Sequence, residues 1–209
     1  MKEPLFRSLL SSLPRSDAVV VEVGMGSFPN APFFALKEAP AAMDIIGVDP
    51  NDSMGGYALA NARRAGLLAG RGPPPGLEWV PKGAGGGGSG AMNSVRVVHG
   101  VSEALPFEDA SVDAVVCSLT LCSVGNPDKS VAEIKRILKP GGKFLWWEHV
   151  LSETDPALAQ RQRDLTPSQV RRADGCHLDR RTGETIKAAG FGEYEKGHRK
   201  STSHCNKPP

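Results

Sequence analysis

Acidic and glycine residues follow two apolar segments of the sequence in a pattern that suits a ligand containing adenosine. The run Ala18–Val23 leads into a turn with Gly24 and Gly26, and glycines there allow the backbone to turn sharply and to approach a ligand. Asp49 ends the second apolar run, 23 residues after Gly26, close to the offset of about 20 at which an acidic residue reaches ribose hydroxyls in nucleotide-binding Rossmann units. The glycine pair alone is a weak signal, but together with Asp49 it predicts a site for an adenosine-containing ligand.

A second group of candidate residues follows the apolar run Lys143–Trp147, where Glu148 and His149 come next. Ligands of open α/β sheets bind at the carboxyl ends of the strands, and imidazole changes its protonation state near neutral pH. We therefore expect His149 to act as a general base or to orient an acceptor, with Glu148 beside it. A histidine that is only hydrogen-bonded within a loop is the alternative interpretation, and the sequence leaves it open.

The elements that must position these residues alternate along the chain. Helices are predicted at Asn126–Leu138, capped by Asn126 or Asp128, and at Thr182–Ala189. Strands that alternate with helices predict an α/β fold, which we expect to be a single domain with a Rossmann-like, doubly wound, mostly parallel sheet. The five predicted strands are Ala18–Val23, Ile45–Val48, Val95–Val98, Val112–Val116 and Lys143–Trp147.

The chain divides into three parts by composition. Residues 1–17 carry leucine and phenylalanine at helical spacing and are predicted to be an amphipathic segment. Residues 18–195 form the predicted domain. Within it, glycine and proline dominate an insertion at 70–94, which we expect to be flexible because it shows no core periodicity. Residues 196–209 are polar and basic, and we expect them to fray.

Composition excludes several classes of function. The 25 lysines and arginines nearly balance the 23 aspartates and glutamates, for a net charge of +2, so no strong field attracts nucleic acid. No apolar run approaches the roughly 20 residues that span a bilayer, and the N-terminus lacks the uninterrupted apolar stretch of a signal peptide. We therefore expect an intracellular or cytoplasmic protein that is not secreted, with no transmembrane anchor and no obligate protein partner.

The four cysteines show neither a metal-ligand motif nor a disulfide framework, so no metal site is predicted. Cys122 and Cys176 are interpreted as small core or pocket-lining residues rather than nucleophiles. The arginines between positions 161 and 181 are interpreted as a solvated face. Peripheral contact of these arginines with an anionic membrane surface stays open.

Six segments follow one another along the sequence: EVGMG at 22–26, GVDPN at 47–51, GVSEALPFEDASVDAVV at 100–116, LTLCSV at 119–124, LKPGG at 138–142 and EHV at 148–150. Taken in this order, they resemble class I S-adenosylmethionine-dependent methyltransferases. The chain is similar above all to the methyltransferase-like group that contains thiol S-methyltransferases and their plant relatives. A more distant resemblance is to the ubiquinone/menaquinone-biosynthesis C-methyltransferases. A dinucleotide dehydrogenase would share the glycine turn and the acidic residue but not the third and fifth segments, so the resemblance favours methyl transfer over NAD binding.

The resemblance implies S-adenosylmethionine as the cofactor and gives roles to residues at matching positions. Glu22 would hold the methionine amino end, and Gly24 and Gly26 would pass beneath the sulfonium. Asp49 would accept hydrogen bonds from both ribose hydroxyls, with Pro50 shaping the adenine slot. The other implied cofactor contacts are Val101, Ser102 and Glu103 near the adenine, and Cys117, Ser118 and Leu119 on the methyl-donating face.

The chain departs from the family pattern at two places. Phe28 stands where a third glycine is usual, and its ring either crowds the methionine end of the cofactor or turns into the core. The C-terminal hairpin strand of the relatives is expected to be truncated, with the sixth strand near 192–195. A longer N-terminal segment of the relatives, often with an apolar anchor, is expected to be absent.

The expected methyl acceptor is a small lipophilic molecule. A thiol is the first choice, because a thiolate is a strong nucleophile and needs only modest help from a base. His177 is the second candidate for that base, since Asp174–His177 matches a family segment that lies over the pocket. One alternative is a C- or O-methyltransferase of quinone-type or phenol-type substrates. Another is an S-adenosylmethionine-binding protein with weakened catalysis.

Overall fold

The computed structural model of the chain describes residues 2–67 and 93–191 and the backbone of residues 202–206. The strands are β1 (Ala18–Val23), β2 (Met43–Asp49), β3 (Ser94–His99), β4 (Val112–Ser118), β5 (Leu138–Trp147) and β6 (Thr202–Asn206). The helices are α1 (Glu3–Ser11), α2 (Ala31–Phe34), α3 (Gly55–Arg64), α4 (Pro127–Ile137), α5 (Pro156–Arg172) and α6 (Thr182–Ala188).

The strands form one sheet in the order β3-β2-β1-β4-β5-β6. The first five are parallel, and β6 is antiparallel to β5. The strand order reverses between β1 and β4, where Val23 lies opposite Cys117. In open α/β sheets ligands bind at the carboxyl ends of the strands beside such a reversal. The predicted Rossmann-like α/β fold is confirmed, and all five parallel strands lie where the sequence predicts them, except that β5 begins at Leu138 rather than at Lys143.

Two apolar layers cover the two faces of the sheet, as a doubly wound fold requires. On one face Phe6 and Leu9 of α1 are fully buried against the strands, together with residues of α2 and α3. On the other face Val131 and Ile134 of α4 are fully buried. Asn126 caps α4 as predicted, because its side chain accepts the Lys129 N–H at 3.0 Å.

The C-terminal expectations require a correction. Residues 202–206 do not fray but form β6, whose backbone pairs with β5 from Trp147 opposite Thr202 to Lys143 opposite Asn206. The sheet therefore carries an antiparallel strand beside β5 where the sequence analysis expects the hairpin strand to be truncated. An edge strand is held by main-chain hydrogen bonds, which a polar sequence can form as well as an apolar one. The predicted strand at 192–195 and most of the predicted insertion at 70–94 lie outside the described residues.

One long helix has no counterpart in the sequence prediction. Helix α5 spans 17 residues and is capped by Asp155, whose side chain accepts the Leu158 N–H at 2.9 Å. Only Ala159 and Thr166 of this helix are buried, so its sequence lacks a broad apolar stripe that would reveal it. No helix among the described residues is both long and apolar enough to cross a bilayer.

Candidate functional site

The glycine turn after β1 leaves room for a ligand at one glycine and none at the other. Gly24 and Gly26 both have positive φ angles, of 66° and 52°, which glycine adopts without strain. A Cβ at Gly24 would lie 2.2 Å from Oγ1 of Thr120, so a loop after β4 packs directly on this glycine. A Cβ at Gly26 would meet nothing within 4 Å. The open space above Gly26 lies at the strand reversal where the fold predicts a ligand.

Asp49 lies next to this space and joins two turns. Its Oδ2 accepts the Gly26 N–H at 2.7 Å, and its Oδ1 accepts the Asn51 N–H at 2.9 Å. Each carboxylate oxygen has capacity for a second hydrogen bond. The predicted pairing of Asp49 with the glycine turn is therefore realised as direct contact, with acceptor capacity left for hydroxyl groups of a ligand. Pro50 directly precedes Asn51 in the same turn.

Glu22 is buried with one carboxyl oxygen lacking a partner. Its Oε1 accepts a hydrogen bond from Nδ2 of Asn30 at 2.8 Å, whereas no described group bonds to Oε2. Burial raises the pKa of Glu22 to about 8, although the Asn30 amide and the charge of Lys2 act in the opposite direction. Buried polar atoms are nearly always hydrogen-bonded. The unpartnered oxygen is therefore the kind of group that a polar ligand would satisfy.

Lys2 is a residue of this site that sequence reasoning missed. Its ammonium donates hydrogen bonds to Oγ of Ser118 at 2.5 Å and to Oδ1 of Asn30 at 3.0 Å. Burial lowers the pKa of Lys2, and the charges of Glu22 and Glu148 partly offset that effect. The only available signal was that Lys2 lies within the predicted amphipathic segment, at the residue before α1 begins. The packing of α1 determines which groups its side chain contacts.

The end of β4 faces this ammonium. Cys117 is fully buried, and its Sγ donates to Oε1 of Glu148 at 3.5 Å. Burial raises the pKa of the Cys117 thiol well above its usual value, and the charge of Glu148 adds to the effect. Leu119 is 44% exposed with a φ of 60°, so it presents its side chain to solvent at the strand tip. Of the three residues predicted here, Ser118 and Leu119 are accessible and Cys117 is not.

Glu148 has a different environment from the one expected of a base. Its carboxylate accepts the N–H groups of Thr120 at 2.9 Å, Leu121 at 3.0 Å and Cys122 at 3.1 Å. The side chain is 1% exposed, and this burial raises the pKa of Glu148 although the three N–H donors lower it. Glu148 holds the loop after β4 in place, because its oxygens are already bound to that loop. Action of Glu148 on an acceptor stays a prediction.

Two of the three residues predicted to lie near the adenine, Ser102 and Glu103, form hydrogen bonds within the protein. Glu103 accepts the Asn126 N–H at 2.9 Å and the Ser102 hydroxyl at 3.0 Å. Burial opposes ionisation of Glu103, yet the hydrogen bonds that it accepts bring its pKa below the usual value. The Ser102 hydroxyl also lies 2.7 Å from that of Ser130 on α4. Val101, by contrast, is 45% exposed at the carboxyl end of β3, so contact with adenine remains a prediction for this segment.

Phe28 does not crowd the open space above the glycine turn. Its ring is fully buried and lies 5.5 Å from the ring of Phe34, centroid to centroid. Its backbone has a φ of 60°, which turns the side chain into the apolar layer that α1 and α2 cover. Of the two orientations that the sequence left open, the structure has the one in the core.

The two candidate histidines lie near each other, above the ends of β4 and β5. Nδ1 of His149, a half-buried residue, is 3.2 Å from Sγ of Cys176. Sγ of Cys176 is 3.5 Å from Sγ of Cys122. His177 donates its N–H to the Cys122 carbonyl at 2.7 Å, and its Nδ1 is 3.8 Å from a carboxylate oxygen of Asp179. The structure thus brings the His149 imidazole and both cysteine thiols together at the carboxyl edge of the sheet, and the His177 backbone is bound to the same loop.

A groove of about 290 Å³ runs beside this edge, between the segment after β5 and the first turns of α5. Arg163 and Arg181 line it together with Glu153. None of the predicted cofactor or catalytic residues lines this groove. The cofactor and acceptor assignments therefore depend on the strand tips rather than on this groove.

Comparisons with known proteins identify the family to which the chain belongs. Residues 21–146 match the family model of a methyltransferase domain. The thiol S-methyltransferase TMT1B of Rattus norvegicus is 45% identical over 87 residues, which are 42% of this chain and 36% of that protein. The ubiquinone/menaquinone biosynthesis C-methyltransferase UbiE of Brucella anthropi is 44% identical over 59 residues, which are 28% of this chain and 22% of that protein.

A solved structure with the same fold extends the likeness to the whole chain. A putative methyltransferase from Bacillus halodurans superimposes with a TM-score of 0.67 at 16% identity, and the match covers 100% of both chains. At that identity the likeness concerns the fold. The chain spans about a third of the length of the thiol S-methyltransferases that it matches.

Proposed function

Because the chain belongs to the methyltransferase domain family, we propose that it transfers a methyl group from S-adenosylmethionine to a small lipophilic acceptor, with a thiol as the first choice. Three features that lie together at the strand reversal support this proposal. These are the buried Glu22 oxygen without a partner, the open space above Gly26 and the Asp49 carboxylate beside that space.

These residues fit the cofactor that the family uses. The methionine amino group is a cation that would satisfy the Glu22 oxygen. Asp49 has acceptor capacity for the two ribose hydroxyls, and Gly26 leaves space for the ligand to pass. When bound, S-adenosylmethionine supplies an electrophilic methyl group on a sulfonium, and the protein has to align an acceptor with it and exclude water.

Different groups of the chain hold the loop after β4 and act on the acceptor. Glu148 fixes the loop after β4 through three backbone N–H groups, which sets the shape of the surface that faces an acceptor. His149 is half-buried beside that loop, so its imidazole is our candidate for drawing the acceptor proton. His177 is the second candidate, since its backbone is bound to the same loop.

A C- or O-methyltransferase of quinone-type or phenol-type acceptors is the second candidate function. The similarity to the ubiquinone/menaquinone biosynthesis C-methyltransferase supports it. The burial of Phe28 removes one reason to expect weakened cofactor binding.

Two measurements test the proposal. Thermal unfolding with S-adenosylmethionine, S-adenosylhomocysteine or NAD should show stabilisation by the first two only, about 2.7 kcal/mol at 100 times the dissociation constant. Incubation with S-adenosylmethionine and a panel of alkyl thiols, phenols and quinols, followed by mass spectrometry, identifies the acceptor class. Stabilisation by NAD alone would refute the cofactor, and methylated quinol without thioether would favour the second candidate.

His149 is tested with a matched control. The His149→Ala protein should methylate thiols more slowly near neutral pH and approach the native rate in alkali, where the thiol ionises without help. His99→Ala removes an exposed histidine that pairs with Asp52 at the end of β3, which is separated from β5 by three strands of the sheet, and at saturating S-adenosylmethionine it should leave the rate unchanged. Equal rates for both variants at neutral pH would exclude His149 as the base.

A further inference from the structure

Three soft or borderline ligand atoms lie together above the carboxyl ends of β4 and β5. They are the thiols of Cys122 and Cys176 and the imidazole of His149, and one ligand atom from each lies within 4.8 Å of the other two. The residues come from three separate segments, so no spacing motif in the sequence brings them together. This group is called the Cys-His cluster below.

The distances within the Cys-His cluster are close to those of a tetrahedral zinc site. Ligands at about 2.3 Å for sulfur and about 2.0–2.1 Å for nitrogen place two sulfurs about 3.8 Å apart and a sulfur and nitrogen about 3.6 Å apart. The two Sγ atoms are 3.5 Å apart, and Nδ1 of His149 is 3.2 Å from Sγ of Cys176. The third pair, Cys122 and His149, has its ligand atoms within 4.8 Å of each other.

The backbone around both cysteines is held in place, so the cluster does not depend on mobile side chains alone. The Cys122 N–H donates to Glu148 at 3.1 Å, and the Cys122 carbonyl accepts the His177 N–H at 2.7 Å. Cys176 follows Asp174 and Gly175, whose φ angles of 46° and 76° form a tight left-handed turn. Groups that orient the ligands raise the affinity of a metal site.

We propose that the Cys-His cluster binds a zinc-class divalent cation, with a fourth coordination position left for water or an exogenous thiol. Two thiolates and an imidazole are a ligand set that selects zinc over the hard cations magnesium and calcium. The cation would join the loop after β4, the end of β5 and the turn at 174–176, and it would sit beside the surface on which an acceptor is proposed to bind. This binding is independent of whether the chain transfers methyl groups.

The test measures metal binding by the full chain, reduced with a phosphine and freed of metal. Titration with Zn²⁺ should show one equivalent bound per chain, and Co²⁺ should give the intense visible bands of a tetrahedral site with sulfur-to-metal charge transfer. Cys122→Ser, Cys176→Ser and His149→Gln should each weaken Zn²⁺ binding by roughly 100-fold or more, since even groups outside the ligand set cost 10–100-fold. His99→Gln, which removes an exposed histidine outside the cluster, should bind Zn²⁺ as the native chain does.

A second measurement needs no variant and so does not depend on whether the serine variants fold. Zn²⁺ should protect Cys122 and Cys176, but not Cys117, from alkylation by iodoacetamide under mildly unfolding conditions, as read by peptide mass spectrometry. Native Zn²⁺ affinity in Cys122→Ser or Cys176→Ser, or the absence of a tetrahedral cobalt spectrum, would overturn the proposal. So would a Cys122–Cys176 disulfide that forms readily in the presence of excess Zn²⁺.

Discussion

Replacing Asp49 by alanine separates cofactor binding from the support that this carboxylate gives to the fold. Asp49 accepts the N–H groups of Gly26 and Asn51, and we propose that its remaining lone pairs accept two ribose hydroxyls. A hydrogen bond to a charged group contributes about 1.5–3 kcal/mol. Loss of both ribose bonds should cost about 3–6 kcal/mol, which weakens S-adenosylmethionine binding by roughly 10² to 10⁴-fold.

The cost to stability should be smaller than the cost to binding. Gly26 is half-buried and Asn51 is exposed, so water can replace part of what their N–H groups lose in Asp49→Ala. Each intramolecular hydrogen bond contributes about 0.5–1.5 kcal/mol net, and the two together give an expected loss of about 1–3 kcal/mol in unfolding free energy. The variant should therefore remain folded at 25 °C.

Isothermal titration with S-adenosylmethionine and S-adenosylhomocysteine measures the binding cost, and urea unfolding measures the stability cost. Asp52→Ala is the matched control, because it removes a carboxylate three residues further along that is 59% exposed and pairs with His99. It should change neither quantity appreciably. If Asp49→Ala binds the cofactor within threefold of the native affinity, the ribose assignment and the position of the cofactor at this edge of the sheet are both refuted.

Three further outcomes are expected. Phe28→Ala should lose about 3–5 kcal/mol of stability, measured by urea unfolding, with native cofactor affinity, because it empties a core position; a large gain in affinity would contradict its place in the core. Glu148→Gln should lose about 2–4 kcal/mol, since its amide N–H₂ would face the Cys122 N–H, whereas Glu153→Gln should lose none. The folded protein holds the Glu22 proton up to about pH 8, so the stability this adds is present below the ordinary carboxyl pKa and declines from about pH 5 to pH 8. Urea unfolding should show a correspondingly shallower pH dependence in Glu22→Gln, and identical slopes would contradict the raised pKa.

The sequence predicts the parts of the site that lie on one strand end or on neighbouring ones. Asp49 and Gly26 follow adjacent parallel strands, whose carboxyl ends must meet at one edge, so their contact could be foreseen from order and spacing. The contact of Lys2 with Ser118 could not be foreseen, because the two residues lie 116 positions apart in the sequence and meet only through the packing of α1. The Cys-His cluster was missed for the same reason: its members share no spacing.

Side-chain direction is the second quantity that the sequence leaves undetermined. Glu148 and His149 are adjacent and both follow β5, and the pattern alone suggests that both face a ligand. Successive residues of an extended chain point to opposite sides, and here Glu148 turns inward to three N–H groups whereas His149 stays half-buried. The Glu148 side chain is therefore bound to the protein itself, which its position in the sequence does not indicate.

The buried carboxylates at this edge follow one rule. Asp49 ties β2 to the turn after β1, Glu148 ties β5 to the loop after β4, and Glu22 ties β1 to the Asn30 amide. In the first two cases the bonded partners are backbone N–H groups of a neighbouring loop, so these hydrogen bonds hold the rim of the sheet in place before it meets any ligand. Catalytic proton transfer is then proposed for a group that remains partly accessible. Among the described residues of this edge the half-buried His149 is our candidate, and the same imidazole is the accessible member of the Cys-His cluster. Acceptor activation and metal binding would therefore compete for His149, and added Zn²⁺ should lower the rate of thiol methylation if imidazole is the base and leave it unchanged or raised if the cation itself binds the thiol.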